Sequence, residues 1–268
     1  MSPRLFWEVL LTEARRGMSY RADFWITLFG GLIAGLVIPY CLWTAIYAES
    51  GAREVGGYTF GAMIVYYVLV ALVGKVARGP EGFSETSISQ EIYAGGLNRY
   101  LVYPIRYLPF KYAQHLGGTL PGLVQLLAFG SLTFVVAGHA VSPLGVALAA
   151  VMLLAANFLY FVLVYPLHSV AFWADNVWSL VVLLRFGSAL FGGAMIPLDL
   201  FPKSVQAVLW WTPFPHLFYG PVNTLLGRQG PLECLAGLAV LLVWCVVVLG
   251  AGTLVWRRGL RTYSGVGI

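Results

Sequence analysis

The chain has 268 residues, of which 59% are hydrophobic and only 10% charged. A soluble domain carries roughly 25% charged residues, so water is excluded as the main solvent. The net charge of +5 would suit nucleic acid in a soluble protein; in a membrane protein the placement of the basic residues is what informs, and no nucleic acid is expected as a partner.

Residues 1–22 read as an amphipathic elbow helix lying on the membrane. Arg4, Glu8, Thr12, Arg15 and Arg16 recur at helical spacing, and Phe6, Val9, Leu10 and Met18 face elsewhere. Scattered charge and the lack of a short apolar core before a small-residue site argue against a signal peptide. The first span is expected over 24–47, with Trp25, Trp43 and Tyr47 as interfacial aromatics and Pro39 as a kink. A second covers 58–74. A third covers 112–137, interrupted by Pro121, and the four residues "GHAV" join it to an antiparallel fourth over 143–166. The fifth is expected over 177–197 and the sixth over 234–256.

Two segments break this series. Residues 78–111 hold charge, glycine and proline. Residues 198–232 are aromatic and rich in proline, and their apolar pieces are too short to cross, as in re-entrant or interfacial helices. With six spans and the N-terminus inside, Arg4, Arg15, Arg16, Arg21, Lys75, Arg78, Arg99, Arg106, Lys111, Arg257, Arg258 and Arg261 lie on the cytoplasmic side. Arg53, Lys203 and Arg228 lie outside, and Arg185 falls within span five. A seventh span would send "RRGLR" to the outer face, against the positive-inside tendency. The expectation is therefore one all-α polytopic membrane domain with six spans in the inner or plasma membrane, both termini cytoplasmic.

Chemistry-bearing motifs are sparse. His115, His139, His168 and His216 lie in different segments, and no HExxH, GxSxG or EF-hand pattern occurs. His168 and Asp175 share a turn and read as polar groups in interfacial water. Cys41, Cys234 and Cys245 stand singly and read as small core residues. A GxxxxGK[ST] loop is missing, so no cofactor is expected in this chain and ATP must bind elsewhere if it drives the protein.

The stretch "SISQEIYAGGLNRYL" offers a short helix with Ser87 as N-cap, Gln90 completing a capping box and Glu91 in the first turn, stopped by Gly95 and Gly96. A second short helix ends before Pro104. Ile88, Ile92, Leu97 and Leu101 supply apolar knobs and Glu91, Asn98 and Arg99 polar edges, a composition suited to a groove on a soluble partner. A helix in the lipid headgroups is the alternative.

An N-terminal elbow, two spans, "EIYAGGLNRYLVYPI", further spans, "FGGAMIPLDLFP" and "WWTPFPHLFYGP" before the last span resemble the permease subunits of type-2 ATP-binding cassette exporters, closest to the small bacterial permeases without a fused ATPase. The resemblance covers almost the whole chain. It implies that 78–111 is a coupling segment, with Ser87, Glu91, Ile92, Gly95, Leu97 and Arg99 at the ATPase contact. It implies an outer re-entrant pair in 198–232, a second permease that is identical or homologous, and ATP with magnesium on the partner ATPase. The substrate would be amphiphilic: drug-like, lipid or glycan.

Arg185 lies on the order of 12 Å into its span, where insertion costs roughly 2.5–3.5 kcal/mol unless the charge is paired or hydrated. It reads either as a cation facing a hydrated path, with Trp43, Tyr66 and Asn176, or as a snorkelling or paired structural charge. Pro197, Trp211, Phe214 and Phe218 read as an outer gate or as interfacial anchors. The rival functions are a membrane-embedded transferase, a secondary transporter and a structural subunit. Carboxylates confined to helix ends and loops count against the secondary transporter.

Overall fold

The computed structural model describes residues 1–19, 21–79, 83–103 and 106–264. Among these, helices dominate, as they must where the backbone has no water to bond. Helix α1 (Pro3–Ser19) packs along the start of α6 (Tyr107–Ala137). Leu10 and Ala14 are its buried residues, while Arg4 and Glu8 pair on the exposed side. The approach is close because Gly117 has no side chain: a Cβ there would come 2.3 Å from the Leu10 carbonyl oxygen.

Helix α2 (Arg21–Ser50) carries Pro39 in its interior and lies at the edge of the bundle, packed on α3 (Phe60–Arg78). Thr59 caps α3, its hydroxyl accepting the Ala62 amide at 3.3 Å. Helix α6 contains Pro121 and ends at Gly138, whose left-handed φ of +66° lets its amide reach back to the Phe134 and Val135 carbonyls. Helix α7 (Pro143–Ser169) opens with proline at its first position and holds much of the core. Helix α11 (Pro231–Thr262) starts the same way, with Glu233 accepting the Gly230 amide at 3.0 Å, and packs along α7. Gly252 and Gly259 admit the Tyr165 and Phe172 rings there.

Among the described residues, five helices are long and apolar enough to cross a membrane, over 29–50, 60–78, 107–137, 143–172 and 231–262. The fifth expected span, over 177–197, is shorter than the sequence implies. Helix α8 (Trp178–Phe191) has 14 residues, about 21 Å, and does not continue to Pro197. It stops because the chain turns at Gly192 and Gly193, the latter at φ +81°, and a Cβ on Gly192 would meet the Ser188 carbonyl oxygen at 2.3 Å. Beyond a 3₁₀ turn at Leu198–Leu200, α9 (Lys203–Leu209) and α10 (Tyr219–Leu225) have seven residues each, so neither can cross.

The bundle has two faces. On one, the ends of α3, α7 and α11 meet the starts of α6 and α8, together with α4 (Phe83–Tyr93) and α5 (Asn98–Val102). Arg99, Arg106, Arg257, Arg258 and Arg261 are exposed there, and it is called the basic face below. The opposite face carries the 51–59 loop and the 192–230 segment, held together by Asp199, which accepts the Tyr58 and Tyr219 hydroxyls at 2.8 Å each. Cys234 and Cys245 are buried, as expected, but Cys41 is exposed on α2.

Candidate functional site: the helical segment on the basic face

Helix α4 begins at Phe83, so Ser87 falls within it and is not the N-cap read from the sequence; the Ser87 side chain lies outside the described residues. Glu91 accordingly sits in the last turn, not the first. Ile88, Ser89 and Ile92 form one buried stripe at helical spacing. Past Tyr93 the chain reverses at Gly95, whose φ of +70° suits glycine, and the Leu97 amide returns to the Glu91 carbonyl at 2.9 Å. Leu97 is thereby brought back beside Ile88 and Ile92.

These three side chains are 0–1% exposed and pack on Tyr165, Ala171, Phe172, Val177 and Trp256. The sequence reading made Ile92 and Leu97 contacts for a partner; the chain's own α7 and α11 cover them instead. Ser89 meets His168 Nδ1 at 3.1 Å, and the Tyr93 hydroxyl donates to the Ala174 carbonyl at 2.8 Å. His168 is therefore a buried link between α4 and α7, not a group in interfacial water.

Glu91 fastens the segment from its other side. Its carboxylate accepts Lys111 Nζ at 2.7 Å, the Tyr107 hydroxyl at 2.8 Å, the Tyr100 hydroxyl at 3.0 Å and Arg99 Nη2 at 3.1 Å. One carboxylate thus joins α4, α5 and α6. Burial, and next the Glu91 charge, push the Tyr100 hydroxyl up to about 12, which keeps it a donor. The Lys111 ammonium lies over the Tyr100 and Tyr107 rings, and Tyr107 stacks on Trp256 with centroids 4.8 Å apart.

What remains open to a partner is the tip. Ala94, Asn98, Arg99, Leu101, Val102 and Tyr103 are exposed, Val102 at 82%. Of the six residues read as a partner contact, Arg99 presents its side chain outward, Gly95 shapes the turn behind the tip, and Glu91, Ile92 and Leu97 position it from within.

The other candidate residues are not gathered into one site. Arg185 is half-buried on α8, between the outward Leu183 and Phe186 and the buried Ser188, whose hydroxyl donates to its carbonyl. Asn176 accepts the Trp178 amide at the start of α8 and is exposed on the basic face. Trp43 and Tyr66 are 4% and 0% exposed, and the Tyr66 hydroxyl donates to the Gly193 carbonyl at 2.7 Å, so this chain itself encloses both. Pro197 precedes the 3₁₀ turn outside any helix, Trp211 is 74% exposed, Phe214 lies 6.2 Å from Phe191, and Phe218 is fully buried. Four residues at such different depths do not make a single plug.

Sequence reasoning missed Lys111 as the buried partner of Glu91, and the Asp199 tie between the opposite-face segments. The only available signal for Asp199 was its place in "PLDLFP". Among the described residues, no three His, Cys, Asp or Glu side chains gather to hold a metal ion.

Residues 33–267 match the family model described as ABC-2 family transporter protein. No curated protein matches the chain. With a bundle of apolar helices and a family match over most of its length, the chain belongs to the ABC-2 transporter family and is a membrane permease component of an ABC transporter.

Proposed function

We propose that the chain is one half of an ATP-driven exporter for an amphiphilic substrate, paired in the membrane with a second permease and driven by a separate ATPase that holds ATP and magnesium. The observation that carries this reading is the construction of segment 83–103. Its inner side is bolted to α6, α7 and α11 by Glu91, Ile92 and Leu97, while Ala94, Asn98, Arg99, Leu101, Val102 and Tyr103 at its tip stand exposed. A lever needs that combination: stiff attachment to the membrane helices and a free surface for the ATPase. The basic face is then cytoplasmic.

In this reading α8 and the turn at 192–197 together make the fifth of six passages, and 198–230 is the re-entrant outer segment. Helix α1 is the interfacial elbow.

The experiment is reconstitution in lipid vesicles with the ATPase that copurifies with the chain. ATP-dependent efflux of a fluorescent amphiphilic dye supports the reading. Full dye efflux by the isolated chain, with no ATPase bound, sinks it. A C-terminal tag protected from protease in intact cells supports six passages, and a tag accessible from outside overturns that count.

A further inference from the structure

The last turn of α3 is a junction of several elements. Asn157 Nδ2 of α7 donates to the Val76 carbonyl at 2.8 Å and lies 3.2 Å from His115 Nε2 of α6. Asn157 is 1% exposed and His115 0%, so the turn is held from two sides in the interior. The helix then stops at Gly79, whose φ of +77° and ψ of −166° belong to a backbone region that is essentially glycine's alone. A Cβ there would come 2.3 Å from His115 Cε1. Helix α4 begins four residues later, so this turn is the covalent lead into segment 83–103.

From the same turn the Arg78 side chain folds back over Gly74, where an added Cβ would meet Nη2 at 3.6 Å. Its guanidinium lies over the Phe218 ring, with Cζ 4.9 Å from the centroid. Phe218 belongs to the other end of the molecule. It directly precedes α10, it is 0% exposed, and it seats against Gly192, whose carbonyl accepts the Tyr219 amide at 3.1 Å. The opposite-face segment thus meets the lead into α3 at Tyr58 through Asp199, and α3 itself at Tyr66 through Gly193 and at Arg78 through Phe218. The first two are hydrogen bonds near the start of α3. The third joins a basic-face cation to an aromatic ring that comes from the far side.

A guanidinium over an aromatic face biases an equilibrium by about 2- to 30-fold, the larger effect where the pair is dry. Such a contact holds one arrangement without fixing it permanently. We propose that Arg78 is a positioning residue that carries displacement of segment 83–103 to the opposite-face turn at Phe218: the cation holds the ring in the arrangement described here and releases it when α4 is drawn away. This rests on the reading of 83–103 as the surface on which the ATPase seats.

The test uses the complex of the chain with its copurifying ATPase in lipid vesicles, with the three native cysteines replaced by serine and one new cysteine at the exposed Ser204 of α9. The readout is the rate at which a water-soluble maleimide labels that cysteine, with and without ATP and magnesium. Phe218 is replaced by its mono-, di- and trifluoro forms, which weaken the cation contact stepwise while keeping the ring's shape. The expected result is that the ATP-dependent change in labelling shrinks stepwise, by about 3-fold or more across the series. The thermal midpoint should hold within a few degrees. Arg78→Met should lose the response, and Arg78→Lys should keep part of it. If Arg78→Met fails to assemble, the fluorinated series decides alone. An ATP response unchanged through the series overturns the role of Arg78. A wild-type complex with no ATP response at all overturns the underlying reading of 83–103, and the proposal with it.

Discussion

Lys111 Nζ lies 2.7 Å from Glu91 Oε1, and the two side chains are 5% and 11% exposed. An acidic residue that the local sequence sets at the rim of a partner surface is therefore the anchor of that surface. Removing one member of a buried pair leaves the other charged and unpaired, which costs about 3–5 kcal/mol, whereas removing both is far milder.

Glu91→Gln should lower the thermal midpoint of the purified chain in detergent by several degrees and loosen α4, and Glu91→Gln/Lys111→Met should recover part of the loss. A midpoint unmoved by Glu91→Gln would remove the anchoring role. Coupling to the ATPase is therefore tested at the exposed tip.

Arg99→Ala removes an outward guanidinium whose pairing with Glu91 is 60% exposed on the arginine side. Exposed pairs contribute roughly 0–1 kcal/mol, so stability should barely change. ATP-driven dye efflux should fall by several-fold while ATP hydrolysis continues. Efflux and hydrolysis measured together in vesicles decide it, and equal efflux in the variant places the ATPase contact elsewhere.

Gly79→Ala would add a methyl group against the His115 ring in a conformation that alanine avoids. Strain of this kind costs on the order of 1–3 kcal/mol before the clash is counted. The variant should melt lower than wild type, and hydrogen exchange should rise first in the last turn of α3 and in α4. Exchange that rises evenly over the molecule would contradict this local origin.

Asp199→Ala leaves the Tyr219 hydroxyl without its acceptor and the Tyr58 hydroxyl with only the longer bond to Asn223 Oδ1 at 3.4 Å. Hydrogen bonds to a charged group contribute about 1.5–3 kcal/mol each, so 192–230 should become sensitive to protease added at that face. Burial, followed by the Asp199 charge, raises both tyrosines well above their usual range. Tyr100 is raised to about 12. For an acid raised in the folded state, stability is fully present below the unfolded value of about 10 and is lost as pH climbs through the folded one. Melting temperature should thus hold up to about pH 10 and decline above it, less steeply in Tyr100→Phe.

Arg185→Leu should alter dye preference or efflux rate if the cation faces the path. An unchanged profile across neutral, anionic and cationic dyes would assign Arg185 to a structural role on α8.

Composition and hydrophobic run length by themselves determined the solvent, the helical class and most of the crossing segments, because a chain without water must satisfy its backbone within helices some 20 residues long. The interruption at 78–111 and the short pieces of 198–232 were equally legible, since proline, glycine and charge are local signals. Even the turn at Gly95 could be read. What only the tertiary structure decided is which way the polar and apolar side chains of the interruption face. Ile92 and Leu97 point inward because Phe172 and Trp256 arrive to cover them, and Glu91 is buried because Lys111 of α6 meets it there. The early stop of α8 and the meeting of Arg78 with Phe218 have the same origin. Each depends on partners distant in the chain, and residue spacing within one segment carries no information about which neighbour will occupy its face.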